Sequence, residues 1–276
     1  MSFYTSLSGL KGAQTDLAVV SNNIANVGAI GFKKSRASFG DVFASAPTQT
    51  TKMIAGQGTR LNGVLQQFTQ GTLEATDKTL DLAIAGEGMF VVRGAPPRAE
   101  TSFTRNGAFT VDVNRNIVDT IGSRLQLLPV DANGTVTGKS LSDLQDFRLP
   151  ETKAGAPGVT LSNISIGNDG LVTATYADGT SSALGRVAMA SFTSQEGLRP
   201  IGDAHWQATG DSGPPAIDAA TNGPLGTIRS GAIERANVDI TEELVSLIGA
   251  QRNFQANAKA IETASAMTQA IINLRT

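Results

Sequence analysis

Residues 239–276 read DITEELVSLIGAQRNFQANAKAIETASAMTQAIINLRT. From Ile240, apolar or small residues recur at Leu244, Leu247, Phe254, Ala258, Ile261 and Ile272, stepping by threes and fours, and polar Gln251, Ser265 and Thr268 occupy the remaining seam positions. This spacing predicts a heptad-like helix, capped by Asp239 or Thr241, with Glu242 and Glu243 in its first turn. Ala250, Ala256, Ala260, Ala264, Ala266 and Ala270 add helix propensity and permit close approach of a neighbour. About 36 residues at ~1.5 Å each make a rod of roughly 54 Å. A rod so long and so narrowly striped needs a partner helix.

The partner is expected at the other end of the chain. Phe3, Leu7, Leu10, Gln14, Leu17, Ser21 and Ile24 follow the same alternation, again with polar residues in the seam. Asn26-Val27-Gly28 and then Gly31 supply the punctuation that ends this helix. Two similar seams separated by nearly the whole sequence imply paired termini with everything between them inserted. The fold class is therefore α+β: N- and C-terminal helices paired as a coiled coil, with an inserted all-β domain.

Between the helices the texture changes twice. Phe32-Lys33-Lys34-Ser35-Arg36 is a short basic run, and residues 37–70 are rich in Ser, Thr, Gln and Gly with scattered Phe39, Phe43 and Phe68. That reads as an irregular arm over 28–70. From Leu80 onward, Leu82-Ala83-Ile84 and Phe90-Val91-Val92 are short apolar runs, and Phe109, Val111 and Val113 alternate with polar residues. Hairpin signals stand at Asn106-Gly107, Asn133-Gly134, Asp169-Gly170 and Asp178-Gly179. A three-stranded meander is expected between Gly158 and Phe192, with polar connections at Leu141–Pro157 and Gly210–Gly226. The expected organisation is a helix over 1–27, the arm over 28–70, a β-rich outer domain over 71–228 and a C-terminal helical segment over 229–276.

Composition narrows the function classes. The formal charge is −2, but residues 1–70 hold six Lys/Arg against two Asp/Glu and residues 71–238 hold thirteen against eighteen. A basic segment without aromatic interleaving is a poor nucleic-acid footprint. The chain has no cysteine, which excludes thiol catalysis, disulfides and thiolate metal sites. Met1 to Ala13 lacks the basic start and apolar core of a cleavable signal, and no apolar run is long enough for membrane insertion.

The search for catalytic, cofactor or metal motifs returns none. Gly86-Glu87-Gly88 has no third glycine at Val91 and no following helix to cradle a dinucleotide. Asp112, Asn114 and Asn116 open like a calcium loop, but Ile117 stands where the loop needs Gly and Ser123 where it needs Glu, so this is a turn. His205, the only histidine, precedes Trp206 in a Gly/Asp-rich region and reads as a packed or surface residue. The expectation is a non-enzyme.

Several blocks resemble a known family. Ser21-Asn22-Asn23-Ile24-Ala25-Asn26-Val27 followed by Gly31-Phe32-Lys33-Lys34-Ser35 is similar to the N-terminal signature of the bacterial flagellar rod–hook axial proteins. Asp81-Leu82-Ala83-Ile84-Ala85-Gly86-Glu87-Gly88-Met89-Phe90 and Thr104-Arg105-Asn106-Gly107-Ala108-Phe109 resemble its central motifs. Asn237-Val238-Asp239-Ile240-Thr241-Glu242-Glu243 and Gln251-Arg252-Asn253-Phe254-Gln255-Ala256-Asn257 resemble its C-terminal motif. Within the family, Met1 to Leu10 and Ser38-Phe39-Gly40-Asp41 look most like the hook protein. Ala29, Asn116 and Phe254 depart modestly from the usual residues. Only a short connection around 142–160 stands where hook proteins usually insert a further β-domain.

The resemblance implies a structural subunit that self-assembles into a helical tube, a flexible universal joint carrying torque from rod to filament. A distal-rod subunit is the alternative within the family, and a secreted β-domain dimerised through its terminal helices is an alternative of another class. Implied partners are further copies of the chain, a hook cap scaffold, the distal rod, hook–filament junction proteins and the flagellar export apparatus. The implied location is the extracellular hook and basal body, reached through the flagellar channel without a cleavable signal. The residues expected to carry self-assembly are Phe3, Leu7, Leu10, Leu17, Ile24, Asn26, Phe32, Leu244, Leu247, Gln251, Phe254, Ile261 and Ile272.

Overall fold

The computed structural model of the chain describes residues 2–43, 56–96, 99–131, 134–153 and 156–273. Two compact units emerge, one from Met1–Val27, Lys34–Gln67 and Val238–Thr276, the other from Gly28–Lys33 and Phe68–Asn237.

In the first unit, helices α1 (Ser2–Ala25) and α2 (Ile240–Asn273) accompany a two-stranded ladder of β1 (Ser35–Phe43) and β2 (Gly56–Gln66). The helices run antiparallel. A Cβ on Gly9 would press into the Asn257 side chain, and further along α1 the Asn23 amide reaches Glu243. Asp239 is the cap of α2: its Oδ1 accepts from the Thr241 and Glu242 amides at 2.8 and 3.1 Å, satisfying donors that a helix start leaves free. The Asn26 amide closes α1 on the carbonyls of Asn22 and Asn23.

Much of the expected arm is this antiparallel ladder, running from Ser35 opposite Gln66 to Phe43 opposite Gly56 with register shifts after Ser38 and after Asp41. An isolated two-stranded ribbon is marginal in water. Here α1 supports it, with Phe39 and Thr59 against Gly12 and the Thr59 amide donating to Ser8 Oγ at 3.2 Å. The Gly- and Ser-rich composition hid the strands because their packing partner is a helix elsewhere in the sequence. Residues 44–55 of the expected arm lie outside the described residues.

Among its described residues the second unit is all β apart from one short 3₁₀ turn. Its largest sheet has a main path through Thr152–Lys153, Ala156–Ile166, Leu171–Tyr176, Ser181–Val187, Arg124–Leu128, Met89–Arg93, Thr101–Thr104, His205–Gln207 and Arg199–Gly202. Two small pairs complete it, Leu82–Ala85 with Thr227–Ser230 and Leu73–Ala75 with Ala232–Glu234. The run Met89-Phe90-Val91-Val92 is fully buried because it serves two cores. Phe90 and Val92 join Leu82, Phe109, Leu125 and Phe147, whereas Met89 and Val91 join Phe103, Leu128 and Trp206. Period-two alternation between two apolar layers explains why that run lacks polar residues.

The expected meander is present as Ala156–Ile166, Leu171–Tyr176 and Ser181–Val187, turned at Gly170 (φ 76°) and Gly179 (φ 78°). Gly134 closes a turn on the Asp131 carbonyl, while Asn133 lies outside the described residues. Asn106-Gly107 is a correction: no hairpin turns there. Asn106 Oδ1 accepts from the Ala108 amide, and Gly107 lies against the backbone of Leu82. Leu141–Pro157 also differs from a polar connection, because Leu144, Phe147 and Leu149 are buried and Gln145–Asp146 pairs with Arg124–Leu128.

The polar candidates resolve into structural roles. Asp112 Oδ1 accepts from the Asn114 and Asn116 amides, each at 2.8 Å, which makes the calcium-like spacing a turn. His205 is buried, its Nδ1 2.8 Å from the Asp203 carbonyl and its Nε2 2.7 Å from Asp119 Oδ2. Among the described residues no group of three or more His, Cys, Asp or Glu could hold a metal ion, and no helix is long and apolar enough to cross a membrane.

The turn at Asp178 offers a direct check. Hydrogen bonds from the Thr180 hydroxyl and amide, aided by Lys153, hold the Asp178 carboxyl down to about 2. A folded-state value below the unfolded one stabilises the folded chain above the ordinary carboxylate range, and the contribution is lost as pH falls through about 2. Carboxyl-carbon NMR titration is expected to find that midpoint in the parent and a return toward 3.8 in Thr180→Val.

Candidate self-association surface

The least exposed positions of α2 are Glu243, Leu247, Ala250, Phe254, Asn257, Ala258, Ile261 and Ala264. Apart from Ala258 they step by four and three; Leu247, Phe254, Ala258 and Ile261 lie on the expected stripe, whereas Glu243, Ala250, Asn257 and Ala264 are covered where Leu244, Gln251 and Ser265 of that stripe are exposed. Only Glu243 and Ala250 are buried among the described α2 residues. On α1 the buried positions are Ala13, Val19, Val20 and Asn23. Small and polar side chains therefore make the closest approach, as Gly9 against Asn257 illustrates.

The expected self-assembly residues divide accordingly. Leu7, Leu10, Leu17 and Ile24 on α1, Asn26 just after it, and Leu247, Phe254 and Ile261 on α2 are half-buried. Phe3, Leu244, Gln251 and Ile272 are exposed and lie off the intrachain seam. Phe32 belongs to the second unit, where its carbonyl accepts from the Asn237 amide, so it is not brought together with the others. Large apolar side chains left in solvent on α2 form the candidate surface, among them Leu244 at 45% exposure, Val245 at 66%, Ile248 at 49% and Ile271 at 64%. Full burial of each such residue is worth about 1.5–3 kcal/mol, and the single chain leaves much of it unrealised.

A polar lock fixes the register beneath that surface. Asn23 Nδ2 donates to the Ser35 carbonyl at 2.9 Å and to Glu243 Oε2 at 3.1 Å, and Asn23 Oδ1 accepts from the Ser35 amide at 2.9 Å. One buried amide thus ties α1, β1 and α2 together. Lys34 adds a 3.3 Å ion pair to Glu242. Buried polar groups of this kind cost stability unless satisfied, and when satisfied they specify alignment. Sequence reasoning missed Asn23 and Glu243 because periodicity weighs only apolar residues. The available signal was an Asn in the Ser21–Val27 block that ends one helix and a Glu in the first turn of the other.

Comparison with known proteins bears on this architecture at both ends and in the middle. Residues 3–33 match the family described as "Flagella basal body rod protein", residues 83–174 "Flagellar hook protein FlgE/F/G D1 domain", and residues 229–274 "Flagellar basal body rod FlgEFG protein C-terminal". The flagellar basal-body rod protein FlgG of Bacillus subtilis (strain 168) is 32% identical over 289 aligned positions, covering 99% of this chain and 98% of the relative. The chain belongs to the flagellar rod–hook family. Similarity extends to the flagellar hook protein FlgE of Escherichia coli (strain K12), 26% identical with both chains fully covered, and to that of Salmonella typhimurium at the same identity. The family blocks have physical roles in this chain: Asn23 is the register lock, Asp239 caps α2, and Gly107 is where backbone must meet backbone.

Proposed function

We propose that the chain is the repeating subunit of the flagellar hook, polymerising through its first unit into a tube that bends while transmitting torque. The supporting observation is the apolar surface of α2. A helix of 34 residues with Leu244, Val245, Ile248 and Ile271 in solvent is a protomer surface made for further copies. In this reading α1 and α2 pair as a coiled coil around the tube axis, and copies join head to tail by a rotation that does not close. Phe3, Leu244, Gln251 and Ile272 face neighbouring copies, whereas Leu7, Leu247, Phe254 and Ile261 hold the helix pair. The cap scaffold, distal rod, junction proteins and export apparatus are the accompanying partners. The hook assignment itself rests on Met1 to Leu10 and Ser38 to Asp41.

A rod subunit is the second reading. It is favoured by the near-equal length and 32% identity of the Bacillus subtilis rod relative, whereas the Escherichia coli hook alignment needs 411 positions for a chain of 276. Electron microscopy of basal bodies from a strain lacking the gene separates the two. The hook reading expects complete rods with no hook. Truncated rods would assign the chain to the rod instead.

A further inference from the structure

The chain passes between the two units at 27/28, 33/34, 67/68 and 237/238. Each crossing is flanked by residues of the second unit that meet at one buried carboxylate. Glu234 Oε1 accepts from Lys33 Nζ at 2.6 Å and from the Gly71 amide at 2.8 Å, and Oε2 accepts from Arg105 Nη1 at 3.0 Å. Lys33 also donates to the Thr69 carbonyl at 2.7 Å, and Arg105 Nη2 to the Gly86 carbonyl at 2.8 Å. The side chains of Lys33 and Glu234 are both fully buried.

Backbone bonds reinforce the same place. The Gly31 amide donates to the Glu234 carbonyl at 2.8 Å, the Arg235 amide to Thr72, and Asn237 Nδ2 to both oxygens of Thr69. Gly31 has φ 70°, and a Cβ there would strike the backbone of Arg105 and Asn106. A Cβ on Gly71 would strike the Arg235 carbonyl. None of these residues belongs to either apolar core. Burial holds the Lys33 ammonium below the usual lysine range despite the attraction of Glu234, so removing the carboxylate leaves two buried cations without their partner.

We propose that Glu234 is a clamp that fastens residues 28–33, 69–72 and 234–237 to one another, and that this knot opens as a local unit while both apolar cores stay closed. All four covalent connections between the units then leave from one fastening. Breaking a buried ion pair by removing one partner is strongly destabilising, and regions outside an apolar core open sub-globally. For a subunit of a torque-carrying tube, the clamp is the point at which load on the first unit enters the β unit. That mechanical meaning rests on the axial reading, while the clamp itself does not.

Hydrogen exchange on the full-length monomer tests it without assembly, so failure here leaves the axial reading intact. Glu234→Gln is expected to speed exchange about 100-fold at Gly31, Gly71, Arg235 and Asn237, with amides of 89–92 and 125–128 unchanged. Val172→Ala, inside one core, is expected to show the opposite pattern. Lys33→Met, which keeps Glu234 paired with Arg105, should speed exchange only at Gly31 and Gly71, by about 10-fold. Uniform acceleration across the β unit in Glu234→Gln, its failure to fold, or unchanged exchange at Gly31 and Gly71 in Lys33→Met would each overturn the proposal.

Discussion

Leu244→Asp is expected to fold like the parent chain and to lose polymerisation. Leu244 is already 45% exposed in the single chain, so a carboxylate there meets water until a second copy covers it. Burying an unpaired charge then costs several kcal/mol, and each ~1.4 kcal/mol is tenfold in an equilibrium constant. The concentration needed for polymer growth should rise by about 1,000-fold or more, with unchanged circular dichroism and thermal midpoint. Leu247→Asp makes the contrast, because Leu247 is half-buried on the intrachain seam and its substitution should loosen the monomer itself. Sedimentation velocity across a concentration series, with thermal melts of both variants, separates the effects. Polymers from Leu244→Asp at the parent's concentration would show that this face is not the assembly surface.

Gly107→Ala should be the most damaging single-methyl substitution in the β unit. A Cβ there would overlap the Leu82 carbonyl oxygen, while the Leu82 amide donates to the Gly107 carbonyl at 2.9 Å. Two backbones meet with no side chain to yield, so the Leu82 segment must move away from the core that contains Leu82, Phe90 and Phe109. The expected loss is about 3–5 kcal/mol, or roughly 6–20 °C in thermal midpoint. Gly210→Ala is the matched control, with nothing within 4 Å of the added methyl and an expected change within about 0.5 kcal/mol. Calorimetry reads both. Equal midpoints for the two variants would mean that the Leu82–Gly107 approach is not constrained.

These two residues also mark what a sequence discloses. The helices were legible because their length, alanine content and Asp239 cap are local properties. Their rotation was not, because large apolar residues at Ile240, Leu244 and Ile272 define a plausible stripe. The covered stripe combines Leu247, Phe254 and Ile261 with Glu243, Ala250 and Asn257, and contacts such as Gly9 with Asn257 and Asn23 with Glu243 are ones that hydrophobic periodicity discounts. The meander was legible through Asp169-Gly170 and Asp178-Gly179, whose positive-φ glycines make real turns. Asn106-Gly107 carries the same dipeptide signal, but its glycine serves close approach of a segment some 25 positions away. The Lys33–Glu234 pair spans 201 positions, and nothing local in either residue announces the other.

The Asn23–Glu243 bond joins residues 220 positions apart, and that separation sets a clock. During synthesis at roughly 5–20 residues per second, the first helix waits about 10–45 s for its partner to be made. Hairpins such as Leu171–Tyr176 with Ser181–Val187 close within microseconds of emerging. The β1–β2 ladder can cover one side of α1 early, but the side that meets α2 stays open to any other surface until the last residues of the chain are made.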